Sequence, residues 1–240
     1  MNKKSLLIIA SIFVGLGISA FLYSDVNNTS EVLLVEEDIS KIHTSNVFSE
    51  PTTIAQSMKA AQPAPNVTIG DDGKIYVLYQ DTVDEQTNIF LKTSTDNGKS
   101  FSTPIQVNLL DGNVALDGRV APTIQLGDNG EVYVTWANSR HEPNMFMGNY
   151  RQLVFTQSFD DGKTFEPSTV IGAEELHSGK YFQHMSIDGY GGIHMAWLDG
   201  PAKMNATGYM EKDESRDRGV RYTQSLDGGV TFETTKLIDA

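Results

Sequence analysis

One eight-residue pattern occurs three times in this chain, and it limits what the chain can fold into more than any other feature. Ser94-Thr95-Asp96-Asn97-Gly98-Lys99-Ser100-Phe101 is followed by Ser158-Phe159-Asp160-Asp161-Gly162-Lys163-Thr164-Phe165 and by Ser225-Leu226-Asp227-Gly228-Gly229-Val230-Thr231-Phe232. The shared form is S-x-D-x-G-x-[ST]-F, with starts 64 and 67 residues apart. A regular period means repeated supersecondary units. Each copy reads as a hairpin turn, because Ser and Asp side chains hydrogen-bond neighbouring backbone N–H groups and Gly supplies a positive φ. The closing Phe starts the next strand and is placed to pack between repeats.

A second signature runs out of phase with the first. Ile69 to Tyr79, Leu126 to Trp136 and Ile187 to Trp197 align as a strand, a Gly-containing tight turn and a strand rich in β-branched and aromatic residues. Together the two signatures give four strands per unit. Strand A (64–69, 121–126, 182–187) and strand B (74–80, 131–137, 192–198) flank the Gly turn. Strand C (88–94, 152–158, 219–225) enters the S-x-D-x-G turn, and strand D (101–107, 165–171, 232–238) leaves it.

The eight-residue motif resembles the Asp-box, or BNR, repeat of the sialidase superfamily, and the resemblance covers roughly residues 47–240. It implies an all-β fold: a β-propeller of four-stranded antiparallel blades joined by Asp-box turns. The blades fall at about 62–107, 119–171 and 180–238, three of an expected six. Phe48-Ser49-Glu50-Pro51-Thr52-Thr53-Ile54 matches the start of strand D and is expected to be an orphan outer strand. Because propellers typically close with about 4–8 blades, the remaining blades are expected from a further C-terminal part or from a second chain.

The N-terminus reads differently. Lys3 and Lys4 precede an apolar run from Leu6 to Tyr23, which is an export signal or, uncleaved, a membrane anchor. Residues 1–23 are assigned to it and the polar, acidic residues 24–46 to a stalk. The folded part is therefore expected outside the cell or on its surface, touching membrane only through this segment. A formal charge of −13 excludes nucleic acid as a partner, since phosphate binding needs clustered Lys and Arg.

Antiparallel order places the A–B turns and the boxes on one rim and the B–C and D–A loops on the other. The second rim varies in length and composition, which is where function concentrates on a rigid scaffold. Its loops are 81–87, 138–151 and 199–218 within blades, and 108–120 and 172–181 between them. Arg119 precedes the second strand A, Lys180 is its counterpart in the third unit, and Arg140 closes a strand B. Paired arginines can grip a carboxylate in bidentate fashion.

By resemblance, Arg119 and Arg140 correspond to two members of the sialidase carboxylate-binding arginine triad. Glu142 is the one acidic residue in 141–151, the loop where the family carries its acid/base Asp. Arg119-Val120-Ala121-Pro122 is one residue longer than the family's Arg-Ile-Pro motif. The family's Tyr nucleophile, its Glu partner and the third Arg would lie beyond residue 240. The resemblance thus leaves three functions open: a propeller that binds a glycan or cell-surface protein on this rim, an exo-sialidase or related glycosidase, and an envelope assembly scaffold.

No cofactor or metal is expected. The boxes lack the alternating ligands and terminal Glu of a calcium loop, and His141, His177, His184 and His194 show no fixed ligand spacing.

Overall fold

The structure is a computed structural model that describes residues 11–14, 18–21, 51–55, 65–109, 114–116, 118–140, 150–172, 178–204, 210–212 and 219–239. The chain divides into two compact units, Met1–Pro51 and Thr52–Ala240. In the first, β1 (Ser11–Val14) and β2 (Ile18–Phe21) pair antiparallel, with Ser11 opposite Phe21. No helix among the described residues is long and apolar enough to cross a membrane.

The second unit is all-β, and its described residues form three successive four-stranded antiparallel meanders. The first runs through β3 (Asn66–Ile69), β4 (Ile75–Val83), β5 (Gln86–Ser94) and β6 (Ile105–Gln106). The second contains β7 (Thr123–Leu126), β8 (Val132–Arg140), β9 (Tyr150–Ser158) and β10 (Thr169–Ile171). The third contains β11 (Ser178–Ile187), β12 (Ile193–Met204), β14 (Gly219–Ser225) and β15 (Lys236–Asp239), while β13 (Met210–Lys212) pairs with the far end of β12.

Several strand limits differ from those read in the sequence. The expected loop 81–87 is a two-residue turn, with Asp84 and Glu85 both at positive φ between β4 and β5. The D strands are short. Ser102, Glu166 and Glu233 each donate one backbone bond to the preceding strand, to Thr93, Gln157 and Gln224. In the first two meanders Pro104 and Pro167 then withhold an N–H. Of the expected outer strand 48–54, residues 51–54 are among those described, and they form no strand. Lys92 Nζ donates to the Ile54 carbonyl at 2.6 Å, which ties this segment to β5.

The S-x-D-x-G turns carry the same bonds three times. Each Ser Oγ donates to the Asp Oδ1 (2.7, 2.7 and 2.8 Å) and accepts from the Gly N–H (2.9, 2.9 and 2.8 Å). The other Asp oxygen accepts from the hydroxyl of Ser100, Thr164 or Thr231 at 2.6, 2.7 and 2.5 Å. These hydroxyls are the main cause of depressed carboxyl pKa values: Asp96 and Asp227 fall to about 2, and Asp160 falls further. The residue before each Gly also has positive φ, and it is Asn97, Asp161 or Gly228. Those are the residue types that tolerate this region.

Two apolar clusters join the meanders. Leu78, Ile89 and Leu91 of the first meet Val132, Val134, Trp136 and Phe165 of the second. Leu153, Phe155 and Ile171 of the second meet Met185, Ile193, Met195 and Trp197 of the third, with Phe232 packed edge-on against Phe155 at 5.1 Å. Each fully buried aliphatic or aromatic side chain contributes roughly 1.5–3 kcal/mol. A box residue also crosses the first joint: the Asp161 carboxylate accepts from Lys74 Nζ and Tyr76 OH of the first meander. Burial raises the Asp161 pKa, but these two donors outweigh it and hold the group charged.

Candidate functional site

Antiparallel pairing separates two ends of the meanders, and the backbone bond from Asp161 to the Gly130 carbonyl shows that boxes and Gly turns share one of them. At the opposite end, Arg119 sits in a 3-10 turn, Gly118–Val120, anchored by the buried Val120. The first residues of β11 come beside it. Gly179 forms a parallel bridge with Arg151 of β9, and Gln183 Nε2 donates to the Ala121 carbonyl at 2.7 Å.

These contacts bring two guanidinium groups to one ring. Arg119 lies 5.0 Å and Arg151 5.4 Å from the centroid of Tyr181, within the range of attraction between a cation and a π face. Arg151 is 5 % exposed, whereas Arg119 is exposed. The Tyr181 ring occupies space that only glycine leaves: a Cβ on Gly179 would stand 2.6 Å from it.

Lys180 is 3 % exposed and stands in register with Asp199 of β12. Arg221 Nε donates to Asp199 Oδ2 at 3.2 Å, and Asp199 itself is fully buried. Among the described residues, Arg119, Arg151, Lys180 and Arg221 thus come to this end of the meanders, in a chain whose formal charge is −13. A cavity of about 240 Å³ opens here, lined by Arg119, Tyr181, Phe182, Leu198, Asp199 and Gly200.

Of the residues singled out by sequence, Arg119 and Lys180 come to this rim. Lys180 does so from within a strand, because β11 begins at Ser178 rather than at 182. Arg140 ends β8 in register with Tyr150, beside the Ser139–Arg151 pair. The side chain of Arg140 and all of Glu142, His141 and His177 lie outside the described residues.

Arg151, Tyr181 and Asp199 escaped the sequence reading. Arg151 and Asp199 fall where strands outrun their expected ends, and the available signal for Tyr181 was an aromatic two residues after Gly179, beside Lys180. His184 is exposed on β11. The His194 ring lies between Tyr222 OH (2.7 Å) and Asp188 Oδ2 (2.9 Å), a satisfied half-buried histidine. No group of three or more His, Cys, Asp or Glu that could hold a metal occurs among the described residues.

The opposite end holds a larger hollow of about 460 Å³ between the Gly turns of the first two meanders, lined by Asp71, Asp72, Asp128, Glu131 and Asp161. Its carboxylates are partly committed to the turns themselves: Asp72 accepts from the Lys74 N–H, and Glu131 from the Asn129 N–H.

No protein-family model matches the chain, and no curated protein does. Among solved structures, a protein of unknown function from Dyadobacter fermentans aligns with 92% of this chain and 58% of its own, at 15% identity and a TM-score of 0.52, which shows a shared fold. An ulvan lyase bound to -[GlcA(1-4)Rha3S]- aligns with 70% of this chain and 42% of its own, at 15% identity and TM-score 0.48. An α-L-arabinanase from Penicillium chrysogenum, complexed with arabinobiose, aligns with 72% and 49%, at 15% identity and TM-score 0.45. The chain thus spans about half the length of the structures it resembles.

Proposed function

We propose that the three meanders are consecutive blades of an exported β-propeller of the sialidase superfamily, and that it binds a glycan or a cell-surface protein on the rim holding Arg119, Arg151 and Tyr181. The propeller reading is supported by repetition of one meander with one turn chemistry, and by sheets packed face to face. The first sheet leaves Val67 and Ile69 each 63% exposed, as on a blade face that another is to cover. Those further blades come from a longer polypeptide or from a second chain. Export is supported by Lys3 and Lys4 ahead of the apolar run Leu6–Tyr23.

The observation that carries ligand binding is the pair of guanidinium groups on the Tyr181 ring. The ring pre-orients both forks with little entropy left to lose, and pre-organised arginines suit planar or polyhydroxylated acceptors. The test is a glycan array and a cell-surface binding assay with the full-length protein and its Tyr181→Ala variant. Wild-type binding that weakens at least about tenfold, equivalent to 1.4 kcal/mol, is expected in the variant. Absence of binding to every glycan and every cell-surface extract refutes the reading. Release of sialic acid by the same preparation would move the protein to the exo-sialidase class.

A further inference from the structure

We infer that the cavity beside Arg119 is a subsite for a single sugar ring, held by stacking on Phe182 and by a hydroxyl donated to Asp199. The inference rests on the rim reading above and names its ligand chemistry. Two independent features point to it.

The first is Asp199. Its side chain is fully buried, and one oxygen accepts from Arg221 Nε. The other, Oδ1, has no hydrogen-bond partner although the residue lines the cavity. A buried carboxylate oxygen without a donor is costly, and Asp199 lines a cavity from which a ligand can supply one. The required group is a donor small enough to enter, and a sugar hydroxyl is one. An adjacent hydroxyl can accept from Arg119, which lines the same cavity.

The second is Phe182. It sits at φ 53°, where bulky L-residues are outliers, and it is 56% exposed. The strain has a structural origin. Tyr181 faces Leu198 and His184 faces Ala196, so two residues of β11 share the place opposite Trp197 in a β-bulge. Bulges re-aim side chains next to functional sites, and strain of this kind persists where the surroundings over-determine it. The result is an exposed aromatic and a buried carboxylate lining one cavity. Aromatic faces and carboxylates complement the C–H face and the hydroxyl edge of a pyranose.

The test uses the full-length protein with methyl glycosides of glucose, galactose, mannose and N-acetylglucosamine, read by saturation-transfer NMR. Wild type is expected to saturate the ring protons of at least one of them. Phe182→Gly removes the ring and relieves the positive φ, so it should melt at the same temperature or higher while binding at least about tenfold more weakly. Asp199→Asn is expected to lose the same signal, and Phe182→Gly keeps the test decisive if that variant does not fold. No transfer from wild type to any of the four glycosides overturns the subsite. So does undiminished binding by a folded Phe182→Gly, and if a glycan or surface protein then still binds through Tyr181, the rim reading survives without the subsite.

Discussion

Replacing Gly162 with Ala separates two demands that the box places on one residue. Gly98 and Gly162 have the same φ, 79°, so a methyl group pays the same conformational cost at both. That cost is roughly 1–2 kcal/mol for an L-residue in the left-handed region. Their surroundings differ. A Cβ on Gly98 would meet nothing closer than Ile75 Cδ1 at 3.7 Å, whereas one on Gly162 would stand 2.7 Å from Leu91 Cδ2.

Leu91 is fully buried in the cluster between the first two meanders. Overpacking of this kind adds roughly 1–3 kcal/mol. Gly98→Ala should therefore cost about 1–2 kcal/mol and Gly162→Ala about 2–5 kcal/mol. The assay is urea unfolding followed by tryptophan fluorescence, to which Trp136 of the Leu91 cluster contributes. Gly229→Ala should resemble Gly162→Ala, because its Cβ would meet the Phe155 ring at 2.8 Å. Equal losses at Gly98 and Gly162 would refute the reasoning and leave the dihedral as the whole requirement.

Two further outcomes follow from the turns and the joint. Because Asp96 and Asp227 are held at about 2 when folded, against about 3.9 unfolded, their contribution is complete above about pH 4 and disappears as pH falls through 2. Asp227→Asn should flatten the fall in urea midpoint between pH 4 and 2, and an unchanged slope would count against the carboxylate account. Tyr76→Phe removes a bond to the charged Asp161 across the first joint. It should cost about 1.5–3 kcal/mol in chemical denaturation, and a neutral result would mean that Lys74 alone satisfies the carboxylate.

The repeat made the meanders legible because its chemistry is local: Ser, Asp and Gly within five residues close one turn, and the same residues recur. Strand ends were legible only where a turn residue marks them. Glu85 adopts positive φ although it is neither Gly, Asn nor Asp, so Thr82 to Gln86 lacks the Gly that marks the other turns and reads as loop. The bulge at Phe182 and Gln183 depends on which residue of β12 lies opposite, which is a property of two strands and not of one. Arg151 and Tyr181 meet through a bridge between β9 and β11, and neither flank of either residue announces it. The candidate site was thus half visible: Arg119 and Lys180 from alignment of the Gly turns, but not the ring and the carboxylate that organise them.

The joints between meanders are directional. Gly162 seats against Leu91, Asp161 reaches to Lys74 and Tyr76, and Gly229 seats against Phe155. In each case the later turn fastens onto the earlier sheet. A gene segment encoding one whole meander therefore carries the clasp for its predecessor and the seat for its successor. Tandem copying of such a segment inserts a module with both ends compatible, whereas gain of a single strand leaves a clasp without a seat. Lineages that lengthen this architecture should do so in steps of one full repeat, and a change at Leu91 or Phe155 should be answered by a change in the turn that closes over it.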